Sequence, residues 1–320
     1  MIQTNVWAWG SFALVVLGAL SVDLGLLTRS GRAGGAVSLK SATFRTLTWS
    51  ALSLLFGLLI LGLYGQRAAV SYVTAYLLEE SLSIDNVFVF VLIFAELRIP
   101  ADKQRGVLLW GVFGALFLRG LLIASGLFIL SRFHWVVYPF GALIIIAAIR
   151  LLWGREKERE LVVAACSVCN SWVSRIVPIT PVFRGDRFWI RQAGKLVATP
   201  LLVALVIVET TDIIFALDSV PAVLAVTREP LIVYSSNIFA MLGLRSLYFV
   251  LAGIIDRFRY LNVGLAAILI FFGAKLILGG VIEIPNHLSL AFIAVAIGLA
   301  VVASLKWPGQ AARPSTPAPS

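Results

Sequence analysis

Two stretches of this chain place carboxylates among residues that are otherwise almost all apolar. YLLEESLSIDNVFVF (76–90) holds Glu79, Glu80 and Asp85 followed by Asn86, and ETTDIIFALDSVPA (209–222) holds Glu209, Asp212 and Asp218. In each, an acid precedes an aspartate by six residues, and the aspartate is followed by a small polar residue and Val. The other polar side chains beside them, Ser81, Ser83, Thr210, Thr211 and Ser219, are oxygen donors, and neither Cys nor His occurs in these stretches. An oxygen-only donor set suits manganese, magnesium or calcium rather than zinc, copper or nickel. Pro221 adds to the set, because a proline inside a helix leaves the carbonyl four residues back, that of Leu217, without its donor and next to Asp218. The candidate ligands of a divalent cation are therefore Asp85, Asp218, Glu79, Asp212, Asn86, Glu80 and Glu209.

Hydrolytic chemistry is excluded in these segments, since neither an HExxH signature nor a Ser and His pair lies in the apolar runs. The chain is read as a transporter or binding protein, not an enzyme, with no catalytic cofactor. The competing account makes the carboxylates structural partners of the bases that lie within apolar runs, Arg119, Arg245 and Lys275. With Asp23 included there are seven such acids against three bases, a surplus of four negative charges. A charge at the centre of a bilayer costs at least about 2.5–3.5 kcal/mol, so the surplus calls for cations or protons. Some acids are expected to pair with bases, Glu80 with Arg119 and Glu209 with Arg245, while Asp85 and Asp218 face the ion. Six residues turn a straight helix by roughly 600°, which leaves the second side chain about 120° round from the first. Glu79 and Asp85 thus share a site only if their helix bends, and only Asp212 and Asp218 have a proline nearby to bend theirs.

The elements that carry these residues must lie in a membrane. Of the 320 residues 60% are hydrophobic and 13% charged, which excludes a soluble globule. Runs long enough for a bilayer occur at 6–27, 47–64, 69–97, 107–130, 135–153, 199–227, 232–253, 261–280 and 288–305. The expected fold is an all-α polytopic transmembrane bundle of about nine spans. The first run has no basic residue before it and no cleavage pattern after it, so it is expected to stay. Two cysteines and two histidines exclude a disulfide scaffold. The net charge of +10 is distributed between the runs instead of forming a nucleic-acid patch. Alternate connections hold 20 and 3 of the basic residues, which places the N-terminus outside and the C-terminus in the cytoplasm. Residues 1–305 form the transporter domain, with a cytoplasmic loop at 154–198. The Pro- and Ser-rich 306–320 segment is expected to be a disordered cytoplasmic tail. Cys166 and Cys169 in the loop lack the further ligands of a zinc site, and His134 and His287 sit at membrane edges.

The two acidic stretches belong to a longer repeat. LFLRGL (116–121) resembles LGLRSL (242–247), aligning Arg119 with Arg245, and RFHW (132–135) followed by Arg150 matches RFRY (257–260) followed by Lys275, each at an offset of about 125 residues. Units of three spans, about 69–154 and 199–280, therefore repeat. An odd number of crossings separates their starts, so they are inverted with respect to the membrane. An inverted repeat with polar residues in its first helix is the pattern of an alternating-access transporter.

Together with SNIFAMLGLRSLYF (236–249), the two acidic stretches resemble the TerC/Alx family of integral membrane proteins, named for tellurium resistance and grouped with LysE-like transporters. The likeness runs from about residue 6 to 305. It implies a multi-pass protein of the bacterial cytoplasmic membrane with a role in manganese homeostasis, chiefly efflux of Mn2+, and tellurite resistance as an older label. The residues matching the family's charged motifs are Glu79, Glu80, Asp85, Asn86, Glu209, Asp212 and Asp218, with Asp23 and Lys275. Nothing resembles an ATP-binding domain, so export would draw on an ion gradient or the membrane potential and is expected to be coupled to protons. The alternative is a membrane scaffold or stress-resistance factor whose buried charges are structural.

Overall fold

The computed structural model describes residues 6–23, 39–153, 155–192, 194–252 and 260–307. The segment 308–320, where a disordered tail was expected, lies outside the described residues, as does the side chain of Asp23. The chain is a bundle of helices: α1 (Val6–Asp23), α2 (Leu39–Glu96), α3 (Ala101–Arg132), α4 (Val137–Leu152), α5 (Arg155–Ile176), α6 (Pro200–Leu224), α7 (Pro230–Leu251), α8 (Leu261–Leu278) and α9 (Asn286–Lys306). In hydrocarbon each backbone amide must be satisfied within its own segment, which only a helix or a closed barrel achieves. Proline marks several helix starts: Pro200 and Pro230 stand at first positions, and Pro100 and Pro285 just before them, where a missing N–H costs nothing.

Six elements are long and apolar enough to cross a membrane: α2, α3, α4 with the short turn before it, α6, α8 and α9. With 58 residues α2 is far longer than one crossing, and its backbone leaves the helix at Gly65, where φ is 81°. A left-handed φ of this kind suits glycine. The two halves fold back on each other, because the Ser53 hydroxyl lies 2.8 Å from that of Tyr72 and the Tyr76 hydroxyl donates to Ser50 at 3.4 Å. The second and third expected spans are thus the arms of one hairpin. α7 has the length of a span yet is not among the six. Ser235, Ser236, Asn237 and Arg245 run along it, and all are buried inside the bundle.

The described connections lie at two ends of the bundle. Gln66, His134, Thr227 and Gly280 surround one cavity at one end. At the other, Tyr248 donates to Gln104 at 2.8 Å, and α5 covers the bundle. The expected cytoplasmic loop is therefore structured: α5 is an amphipathic helix followed by a hairpin of Trp189–Gln192 and Lys195–Ala198, the one departure from all-α architecture among the described residues. Gly194, with φ 78°, stands in its turn.

The two largest apolar clusters lie toward opposite ends of the bundle. Near the α5 end, Phe90, Phe94, Leu108 and Ile207 pack with Val162 and Cys166 of α5. Toward the opposite end, Leu78, Ile144, Val223 and Phe272 form the second. The outward surface is also apolar, with Leu58, Phe117 and Leu299 more than half exposed, as lipid contact demands. α4 and α8 cross at glycine. A side chain on Gly141 would meet the Gly273 carbonyl at 2.9 Å, and one on Gly273 would meet the Gly141 carbonyl at 2.9 Å. Because Gly141 faces Gly273 and Ile277 while Gly273 faces Ile144 and Ile145, the two helices run antiparallel.

Candidate metal site

Between the two cores lies a layer of charge, and its geometry follows from helix rotation. From Gly65 to Glu96 the α2 helix is unbroken, and α6 is continuous through Pro221. The two acids of each helix therefore point in different directions, and the structure uses them differently.

The first acid of each pair goes to one guanidinium. Arg119 of α3 is ion-paired with Glu79 and, through Nε and Nη2, donates to both oxygens of Asp212 at 3.1 Å. All three side chains are buried. A planar guanidinium with five donors can bridge two carboxylates from two helices, which an ammonium cannot do as well. Arg119 Nη1 also donates to Ser219 at 3.3 Å and to Asn237 of α7 at 3.4 Å. Four helices, α2, α3, α6 and α7, thus meet at this one side chain. The expected pairing of Glu80 with Arg119 is overturned: Glu79 faces α3, whereas Glu80, one residue and about 100° further round the helix, lies toward Gly243 of α7.

The second acid of each pair lines a cavity. Asp85 and Asp218 line one cavity of about 190 Å³ together with Asn86, Thr211 and Ser219. Its oxygen-bearing wall comes from α2 and α6, and Leu269 of α8 and Ala147 of α4 close its apolar side. Exposed Trp153, Lys157 and Leu161 frame the mouth at the α5 end, with Arg150 beside them. Ser219 joins the cavity to the charge cluster, donating to Glu79 at 3.4 Å while accepting from Arg119. The cavity can offer a hard cation two carboxylates, an amide oxygen and two hydroxyls, a set that suits manganese, magnesium or calcium.

The seven expected ligands are therefore not one shell. Asp85, Asn86 and Asp218 share the cavity; Glu79 and Asp212 stand behind it on Arg119; Glu209 lies against Gly114 of α3; and Glu80 faces α7. Among the described residues no three His, Cys, Asp or Glu side chains converge tightly enough to hold a metal by themselves. One oxygen each of Glu79, Glu80 and Glu209 and the Ser83 hydroxyl are buried without a hydrogen-bond partner among the described residues. Orphaned acceptors of this kind call for a cation, a proton or water. Arg245 is buried beside Asp212.

Arg150, Lys157, Leu161 and Val162 at the cavity mouth were not among the expected site residues. The charged block REKERE (155–160) gives way directly to the apolar LVVAAC (161–166), and that change is the signal in the sequence that part of this segment packs on the bundle. That part carries Cys166, whose thiol is pushed up to about 11 by burial, with smaller contributions from Glu96 and Cys169. Burial likewise raises the Cys169 thiol.

Residues 64–311 match the family described as integral membrane protein TerC. An uncharacterized membrane protein of Myxococcus xanthus is 44% identical over 297 residues, covering 93% of this chain and 91% of its own. Alx of Escherichia coli K12, whose name proposes a membrane-bound redox modulator, is 39% identical over 293 residues, covering 89% of this chain and 90% of its own. A membrane protein of Rickettsia bellii is 33% identical over 298 residues, covering 93% and 97%. No solved structure matches.

Proposed function

The chain belongs to the TerC family of integral membrane proteins, and from that premise we propose that it exports manganese ions through the cavity lined by Asp85 and Asp218. One observation carries this reading: two aspartates from two different helices share one cavity with Asn86, Thr211 and Ser219, so that only oxygen donors stand beside the two carboxylates on those helices. The donors are all oxygen, as a hard divalent cation prefers.

The reading extends to topology. The α5 end is cytoplasmic and the membrane is the bacterial inner membrane, in keeping with 20 basic residues in the connections of that side against 3 in the others. Two inverted three-helix units alternate access. Their support is the antiparallel glycine crossing of α4 and α8, and the positions of Arg150 and Lys275, aligned in sequence yet lining cavities at opposite ends. Export is coupled to protons, because carboxylates left close together in a poorly solvated site cannot all stay ionised once the metal departs. Manganese flux in proteoliposomes at clamped voltage should respond to an imposed pH gradient; indifference would remove the coupling.

The name of the Alx relatives suggests redox work, and Cys166 and Cys169 lie one turn apart on α5. Their raised thiols argue against it, since a redox-active cysteine needs accessible thiolate. The deciding experiment compares manganese content in cells lacking the protein, with the intact chain restored, and with Asp85→Asn restored. The scaffold reading prevails if Asp85→Asn lowers cell manganese as well as the intact chain does.

A further inference from the structure

At the end opposite α5 the bundle opens into a second cavity of about 1490 Å³. Its rim includes Arg67, His134, Arg228, Glu283 and His287, and its floor reaches Lys275 and Leu224. Ser219 lines the metal cavity and Leu224 the larger one, five residues apart on α6, a rise of about 7.5 Å. On α8, Leu269 and Lys275 stand six residues apart, about 9 Å. Two cavities entered from opposite ends are thus separated by under two helical turns. Apolar, fully buried side chains fill the gap, chiefly Phe272, Val223 and Ile144.

Immediately beyond this plug lies a polar network centred on Asn286, the first residue of α9. Its side-chain oxygen accepts from Lys275 Nζ at 2.7 Å, and its amide donates to Ser71 at 2.8 Å and to the Val226 carbonyl at 3.0 Å. Lys275 Nζ also donates to Ser289 at 2.9 Å and lies 5.8 Å from the centre of the Phe272 ring. Asn286 therefore ties α2, the end of α6 and α8 to α9 across the top of the plug. Val226 stands two residues past the end of α6, in the turn that follows it, so the amide of Asn286 holds the chain where it leaves that helix.

We infer that Asn286 and Lys275 form the latch, and Phe272 the plug, of the gate on the side opposite α5, held closed in the conformation described here. The inference rests on the transport reading of the metal cavity and deepens it, naming the residues that position the second gate. The network suits a latch because it holds a buried ammonium with neutral partners, an amide and a hydroxyl. Hydrogen bonds to neutral groups hold less strongly than an ion pair such as that of Arg119, so the same ammonium can be released without separating opposite charges. Once the gate has opened and the ion has left, the charge of Lys275 at the cavity floor opposes a cation's return.

Single cysteines in a Cys166→Ser, Cys169→Ser background test this with a membrane-impermeant thiol reagent on right-side-out and inside-out vesicles, without metal. Leu82→Cys, in the wall of the metal cavity, should label only from the α5 side. Adding Asn286→Ala should raise its labelling from the opposite side about tenfold, the scale of one or two lost hydrogen bonds. Ser71→Ala, which removes only one of the bonds made by Asn286, should act in the same direction more weakly and serves if Asn286→Ala fails to reach the membrane. Thr227→Cys, in the larger cavity, should label from the opposite side in every background. Labelling of Leu82→Cys from the opposite side with the latch intact overturns the proposal, as does one-sided labelling retained in both latch variants. Because the readout contains no manganese, a failed manganese assay and a failed latch are told apart.

Discussion

Glu79 and Asp212 on one side, and Asp85 and Asp218 on the other, are the same kinds of residue on the same two helices, six positions apart, yet they live in different environments. The first pair is buried on Arg119, with its charge reduced from two negative to one. The second lines a cavity with a mouth framed by exposed residues. Rotation of a straight helix by about 120° over six residues separates them. One sequence motif thus builds both the cluster that joins four helices and the wall of the cavity. It also explains why the seven acidic and amide candidates do not line one cavity.

If that division is right, the two regions should fail in different ways. The largest effect is expected at Arg119→Met, which leaves two buried carboxylates without their cation, a loss on the order of 3–5 kcal/mol. The variant should be depleted from the membrane, or melt far earlier in detergent, and Arg119→Lys should recover only part of this because an ammonium cannot span both acids. A fully stable Arg119→Met would make the cluster dispensable and blur the contrast.

Next in size are Asp85→Asn and Asp218→Asn. Each keeps the shape of the cavity wall and removes one charge. Both proteins should reach the membrane at normal levels and melt within about 1 kcal/mol of the parent, while titration calorimetry of the purified protein with Mn2+ should lose its signal. Unchanged affinity in both variants would sink the site, and equal loss of folding in both would move these aspartates into the structural class.

A smaller effect, about 1–3 kcal/mol, is expected for Gly273→Ala, since the added carbon would stand 2.9 Å from the Gly141 carbonyl. This variant perturbs neither acidic region directly, so its thermal shift gauges packing at the α4 and α8 crossing alone. The smallest change should come from Cys166→Ser, with export near that of the parent. In the unsubstituted protein the Cys166 thiol stays protonated until near pH 11. Since the thiolate is the reactive form, its alkylation should keep rising about tenfold per pH unit past pH 9, where an ordinary cysteine has levelled off. A plateau near pH 8.5 would mean that α5 does not pack as described.

Much of this could be read from the linear chain because the bilayer simplifies the physics. Apolar length specifies helices, basic residues between them sort the connections, and an acid within an apolar run announces itself by its cost. Asp85, Asp218 and their oxygen neighbours were legible for that reason, as was the need for Arg119 to have acidic partners. Which acids those are depended on contacts between residues some 93 positions apart, as in Arg119 with Asp212, and no local pattern distinguishes Glu79 from Glu80 as the partner. The hairpin at Gly65, the seat of α5 over the cavity mouth and the network around Asn286 were likewise settled by packing. Asn286 bonds to Ser71, 215 positions away. Helix formation is decided residue by residue against the solvent, so sequence suffices for it; the pairing of charges is decided by which helix faces come together, and only the folded bundle determines that.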